Sequence, residues 1–312
     1  MDIKSDSNIR DAVVAGAFYP ADPQNLSHLI NKYLSDADRI LDSLKPPLPH
    51  PPQLSDVSKT ARPPRQRTLL KAFIVPHAGY IYSGPIAGVA YRLMQKFYSV
   101  DSSEPKKPPL KILLLGLSHN ILLNGAAVST FDFWQTPLGK IPVKNLRVEI
   151  RNKIRAKDVL KEFEEAHEAE HSLEVQVPFL QIILKKFILY PLAVSEVDPE
   201  DLAETLVDFA AQDDVVIIVS SDLSHYLPYE EAVEKDLRSC ELITQLDTEN
   251  GEFGIDACNK TGILTLMYLA KKLNLVPRLL DYRNSGDTAG GKSGVVGYAS
   301  LIFGDGSLFT KS

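Results

Sequence analysis

Three apolar runs in this chain each lead into a histidine. AFIV (72–75) leads into Pro76-His77-Ala78-Gly79-Tyr80, ILLL (112–115) into Gly116-Leu117-Ser118-His119, and VVIIV (215–219) into Ser220-Ser221-Asp222-Leu223-Ser224-His225. A lone histidine after a strand is ordinarily a structural hydrogen bonder. Three of the seven histidines placed this way point instead to one shared site, because ligands of open α/β sheets bind beyond the carboxyl ends of the strands. Neutral imidazole is the commonest side-chain metal ligand, and two histidines with one anionic ligand leave coordination positions open. The anionic candidates are Asp222, Glu174 and Cys258. Cys258 lies in GIDACNKTGI just before a helical pattern, and a helix N-terminus favours the thiolate. Cys240 shares helical spacing with Val233 and Leu237 and reads as core. In Glu170-His171-Ser172-Leu173-Glu174, His171 and Glu174 would share a face if the turn is helical, either to bind substrate or metal or to brace the helix.

Two further patterns carry less. Gly286-Asp287-Thr288-Ala289-Gly290-Gly291-Lys292-Ser293 matches a phosphate-binding P-loop by letter. That loop must join a strand to a helix, whereas VVGYASLIF after Gly294 reads as a strand, so a glycine-rich hairpin is expected. A Ser/His/Asp hydrolase built from Ser118 or Ser221 with His225 and Asp222 has no G-x-S-x-G elbow.

The elements that must position these residues alternate along the chain. Strands are expected at 72–75, 112–115, 187–192, 215–219 and 295–303, and helices at 23–34, 84–97, 178–186, 199–211, 229–246 and 262–273. Near-continuous apolar runs indicate strands buried on both faces, and their alternation with helices predicts a three-layer α/β/α sandwich with a mostly parallel central sheet. Asp198 before Pro199 reads as an N-cap with proline at the first helical position. Residues 46–64 hold seven of the 21 prolines and, like the polar stretch 101–109, read as an insertion within one domain spanning 1–312.

The net charge of -6, without a long basic run, argues against nucleic acid or an anionic membrane as partner. No stretch reaches the roughly 20 apolar residues of a membrane span, and the N-terminus carries no apolar signal core. Two cysteines make no disulfide framework, so a cytoplasmic location is expected.

Taken together, AGAFYP (15–20), PHAGYIYSG (76–84), LGLSH (115–119), TPLG (136–139), EHSLEVQVPFLQ (170–181), SSDLSHY (220–226), YRNSGD (282–287) and VVGYAS (295–300) resemble the Memo-like proteins, called AmmeMemoRadiSam system protein B in prokaryotes. The resemblance runs from about residue 15 to 303. It implies a fold like that of class III extradiol dioxygenases, which use non-haem iron(II). On that pattern His77 and His119 match the metal-binding histidines, and Cys258 falls where the dioxygenases carry a carboxylate. His225 matches their acid/base histidine, with Asp222 beside it. Asn259 stands where the family often has glycine. Thiolate in place of carboxylate shifts preference towards copper(I), zinc or a different iron chemistry.

The expected function is therefore a metal-dependent redox or dioxygenase-like protein using Fe(II) or Cu, with Zn as a further candidate. His77, His119 and Cys258 would hold the metal, and His225, positioned by Asp222, would move protons. Tyr80, Tyr82, His171, Glu174, Tyr226, Asn284, Ser285 and Asp287 would line the pocket. The rival reading is a non-catalytic phosphopeptide- or partner-binding module using His77, His119, His225 and Lys292. The family name also implies a radical SAM enzyme and an AMMECR-like protein as partners.

Overall fold

The structure is a computed structural model that describes residues 8–44, 70–98, 108–151 and 159–306. The proline-rich segment 46–64 and most of the stretch 101–109 lie outside the described residues. In chain order the elements are β1 (Ile9–Arg10), α1 (Pro23–Ser43), β2 (Leu70–Val75), α2 (Tyr80–Tyr98), β3 (Leu110–Leu117), β4 (Ala126–Val128), β5 (Phe133–Thr136), β6 (Gly139–Pro142), α3 (Leu146–Ile150), β7 (Leu160–Glu162) and α4 (Glu165–Glu168). There follow α5 (His171–Glu174), α6 (Val177–Ile183), β8 (Phe187–Val194), α7 (Pro199–Ala210), β9 (Val215–Ser220), β10 (His225–Leu227), α8 (Tyr229–Gln245), α9 (Thr248–Gly254), α10 (Lys260–Leu273), β11 (Leu275–Asn284) and β12 (Val295–Asp305).

The large sheet runs β10-β12-β2-β9-β3-β8-β4-β7, with β11 also paired to β12. Its centre is the parallel set β2, β9, β3 and β8. Apolar side chains leave this centre on both faces. Val216 and Ile218 join Phe73, Ile112 and Leu114 in one core with residues of α1, α2 and α6. Val215, Ile217 and Val219 join Ile74, Leu113 and Leu115 in a second core with residues of α7, α8 and α10. Successive strand residues point to opposite faces, so two apolar layers on one sheet are what continuous apolar strands require.

The expectation of a mostly parallel sheet needs correction, because the sheet is mixed: β12 pairs antiparallel with β2, β10 and β11, and β4 pairs antiparallel with β8. A short link explains the antiparallel β4. The stretch 118–125 between β3 and β4 cannot hold the dozen or more residues of a parallel crossover. β11 gives no sequence signal because it pairs only with β12, and as an edge strand it tolerates Pro277 and lacks a continuous apolar run. α7 is capped as its sequence suggests, with Asp198 Oδ1 accepting the Glu200 and Asp201 N–H groups at 2.9 and 3.0 Å. No described helix is long and apolar enough to cross a membrane.

Candidate metal centre

Val75 pairs with Ser220, and Leu115 with Val219, across parallel strands. The chain therefore leaves β2, β3 and β9 at one edge of the sheet, carrying His77, His119 and the 221–225 turn. His171, the first residue of α5, reaches the same edge. Gly116 allows this: a Cβ there would lie 2.4 Å from Ser172 Oγ and 2.8 Å from Leu173 side-chain carbons. Without that close approach α5 could not lie against β3.

The ring nitrogens of His77, His119 and His171 lie within 4.8 Å of one another, close enough to share a metal ion. The rings of His119 and His171 are 4.4 Å apart, and that of His77 stands nearly perpendicular to both at 5.4 and 5.5 Å. Cys258 Sγ is 3.3 Å from His77 Nε2 and accepts the Asp222 N–H at 3.3 Å. The group close enough to share an ion is thus His77 and His119 with a third imidazole, His171, while Cys258, expected as the third ligand, stands beside it against His77.

Neighbouring groups decide which nitrogen of each ring faces inward. Ser220 Oγ–H donates to the Ser172 carbonyl at 2.6 Å, so its oxygen is left to accept from Gln176 Nε2 (2.7 Å) and from His77 Nδ1 (3.1 Å). Glu170 accepts the His119 N–H at 2.7 Å, His119 Nδ1–H at 2.9 Å and the Ser172 N–H at 2.7 Å. With both Nδ1 atoms serving as donors, the Nε2 lone pairs of His77 and His119 are free to ligate. Such a partner on the second nitrogen is the usual support for a ligating histidine.

The charges are coupled. Burial disfavours charge on His77, yet Cys258 and Asp222 outweigh it and hold its pKa at about 9. Burial likewise opposes charge on His119, but Cys258 and Glu170 hold it at about 9. Burial raises Cys258, and His77 and His119 overcome it to bring the thiol to about 6. His171 is lowered to about 4, first by burial and then by His77 and His119. Without metal, the site therefore pairs a thiolate with imidazolium groups.

The remaining predicted residues have distinct positions. Asp222 is buried, and its Oδ1 accepts the His77 backbone N–H at 2.7 Å. His225 is exposed, and its Nδ1 bonds to the Leu223 carbonyl at 2.8 Å. Its orienting partner is thus a backbone oxygen, where sequence reasoning expected Asp222. Glu174 points away from the cluster: it pairs with Arg10 at 2.6 Å and accepts the N–H groups of Val13 and Val14 and the hydroxyl of Tyr19. Tyr80 is buried with its hydroxyl on the Val175 carbonyl. Tyr226 is exposed beside His225, and Tyr298 is buried, its hydroxyl pushed up first by burial and then by Asp222, Tyr82 and Tyr226.

Asn284, Ser285 and Asp287 form a turn held by its own side chains and by Tyr229 and Val296. Asn284 Oδ1 accepts the Gly286 N–H, Asp287 accepts the Asn284 N–H and the Tyr229 hydroxyl, and Ser285 Oγ accepts the Val296 N–H. The glycine-rich stretch joins β11 to β12 as a hairpin, as expected, and Lys292 lies 4.1 Å over the Tyr229 ring. Neither hydrolase serine bonds to a histidine, since Ser118 donates to the Ile121 carbonyl and Ser221 to the Asp222 carbonyl.

Sequence reasoning missed the supporting groups Glu170, Ser220 and Gln176. Glu170 carried one legible signal, an acidic side chain at the N-cap of the helix that begins with His171, where it accepts the Ser172 N–H. Asn259 does not need the family's glycine, because its φ is -102°. Its side chain accepts the Gly262 N–H and donates to the Leu115 and Ser220 carbonyls, tying the Cys258 loop to the ends of β3 and β9.

Comparisons with known proteins bear on the whole chain. The family model described as Memo-like protein matches residues 10–302. A MEMO1 family protein of Sulfolobus acidocaldarius is 36% identical over 311 residues, covering 95% of this chain and 100% of the relative. One from Desulfurococcus amylolyticus is 36% identical, covering 94% and 98%, and one from Aquifex aeolicus is 33% identical, covering 95% and 99%. Matched by the family model over residues 10–302 and by these relatives over nearly all of its length, the chain belongs to the Memo-like family.

Proposed function

We propose that this protein is a metal-dependent oxidoreductase, with dioxygenase-like chemistry on a fold related to the class III extradiol dioxygenases. The observation that carries the reading is the convergence of three imidazoles, with Cys258 Sγ beside His77 Nε2 and the far nitrogens of His77 and His119 already engaged. The donor set fits a metal. Imidazole and thiolate together suit iron, copper and zinc, and His77, His119, His171 and Cys258 would hold it. Bound Fe(II) or Cu would supply electron transfer and a Lewis-acid centre.

The chain's own groups would handle protons and order. Because Nδ1 of His225 faces a carbonyl, which only accepts, that nitrogen carries the proton. Nε2 then has the lone pair and can take a proton from a substrate hydroxyl. Asp222 links the parts: its carboxylate holds the His77 backbone, its N–H holds Cys258 Sγ, and its carbonyl accepts the Cys258 N–H at 3.1 Å. A cytoplasmic location and association with a radical SAM enzyme and an AMMECR-like protein belong to the same proposal.

The test is metal analysis of protein purified without oxygen and without a chelating tag. About one iron or copper per chain, lost in His119→Ala and altered in Cys258→Ser but kept in His225→Ala, supports the reading. No metal after reconstitution with Fe(II), Cu(I) and Zn(II) refutes it. The phosphopeptide-binding alternative draws on the protonated His77 and His119 of the metal-free site. Tight phosphotyrosine-peptide binding by metal-free protein, lost in His119→Ala, would replace the first reading with that one.

A further inference from the structure

α8 contains a buried carboxylate that the site described so far does not use. Sequence spacing suggested a core face of Val233, Leu237 and Cys240, but Leu237 is 45% exposed. The inward face is instead Ala232, Asp236, Ser239, Cys240, Leu242 and Ile243, which puts Asp236 in the interior at 0% exposure. No ion pair to Asp236 occurs among the described residues. A buried carboxylate without a cation is costly, so what its oxygens hold is informative.

They hold the turn that carries His225. Asp236 Oδ1 accepts the Ser224 N–H at 2.9 Å, and Oδ2 accepts the Tyr282 hydroxyl at 2.9 Å. Gly297 of β12 makes room, since a Cβ there would lie 1.9 Å from Asp236 Oδ2. Gly297 itself accepts the Leu223 N–H at 2.8 Å and donates to the Ser224 carbonyl at 2.9 Å. Leu223 and Ser224 are thereby clamped between α8 and β12, and the Leu223 carbonyl, left facing outward, holds His225 Nδ1. The next residue, Tyr226, has φ of 60°, a left-handed conformation that an aromatic residue keeps only when its surroundings enforce it.

The geometry points to Asp236 as a positioning residue: by fixing the Ser224 N–H it sets the Leu223–Tyr226 turn, and so the orientation and tautomer of His225. This rests on the proposed proton-moving role of His225 for its functional meaning, though not for its test. The turn begins at Asp222, which holds His77 and Cys258. Asp236 thus keeps the proton-handling side chain in register with the metal-ligating ones without touching either.

The experiment uses the full chain, labelled with nitrogen-15. Ring nitrogen spectra give the His225 tautomer, and hydrogen exchange at the Ser224 amide reads the clamp. In the native protein His225 is expected in a single form protonated at Nδ1. Asp236→Ala should speed Ser224 exchange at least ten-fold and release His225 into a mixture of tautomers. Asp236→Asn, whose amide oxygen can still accept the Ser224 N–H, should restore both signals, which a general loss of stability would not produce. A folded alanine variant with the native His225 signature overturns the proposal, and so does an asparagine variant as defective as alanine. If the alanine variant does not fold, Asp236→Ser, too short to reach Ser224, is read the same way. Zn(II) stoichiometry is measured on the same samples and should be unchanged by the substitutions. Absence of metal binding by the native chain would sink the proposed function alone, while normal metal binding with an unmoved His225 would sink the Asp236 assignment alone.

Discussion

Replacing Glu170 by glutamine tests whether the groups behind the histidines set the metal site. The carboxylate is 1% exposed and accepts three N–H donors: Oε2 takes the His119 backbone, and Oε1 takes His119 Nδ1 and Ser172. Glutamine has one oxygen. Its better orientation keeps that oxygen at the Oε1 position and turns its NH₂ onto the His119 backbone N–H, leaving one buried donor facing another. An unmade buried hydrogen bond costs about 1–3 kcal/mol, and that is the expected loss of folding stability. The charge that makes His119 a better ligand is lost as well, and loss of such a partner lowers metal affinity by roughly 10–100-fold. The assay is a chelator-competition titration with Zn(II) and Fe(II), beside denaturant unfolding of the metal-free protein. Glu174→Gln is the control, because it lies four residues on and is equally buried but faces Arg10. It should lose about 3–5 kcal/mol of stability as a broken buried ion pair while the folded fraction binds metal normally. Native metal affinity in folded Glu170→Gln, or equal affinity losses in both variants, would refute the reasoning.

Gly116→Ala places a Cβ against Ser172 and Leu173. Overpacking there should cost about 1–3 kcal/mol and, by moving α5, should weaken metal binding more than the same substitution at Gly291, where a Cβ meets nothing within 4 Å; equal effects would count against the packing account. His167 is fully buried, donates from Nε2 to the Ala127 carbonyl, and is lowered to about 4, first by burial. Because its folded pKa lies below the unfolded value of 6.5, its stability contribution is intact above pH 6.5 and is lost as pH falls through 4, by up to about 3 kcal/mol. His167→Gln should flatten that part of the stability–pH curve, and an unchanged slope in denaturant melts at several pH values would contradict this. Lys292→Ala should leave thermal stability with and without ATP the same as in the native chain, and an ATP-induced rise in Tm that the variant loses would revive the P-loop reading.

Much of this architecture is legible before folding, and the reason is periodicity. Runs such as VVIIV and ILLL have no polar face, and their shortness suits strands covered on both sides. Covered parallel strands deliver whatever follows them to a single edge. His77 and His119 come together for that reason, and the position of Cys258 at the start of α10 follows from the same local grammar of helix termini.

Other assignments needed the tertiary structure. Glu170 and Glu174 belong to one short helical stretch and have the same chemistry, yet one orients His119 and the other anchors Arg10. Which way each points depends on the rotation of α5 against β3, where Ser172 and Leu173 pack into the gap at Gly116. The face of α8 was misjudged for a related reason: periodicity ranks apolar residues inward, whereas the space beside Gly297 admits the carboxylate of Asp236 and leaves Leu237 in solvent. His171 joins the cluster only because α5 crosses the end of β3, a contact between segments more than fifty residues apart. Spacing along a chain specifies which residues share a face. Which face meets which neighbour is decided by steric fit across the sheet, and that is a property of the packed molecule.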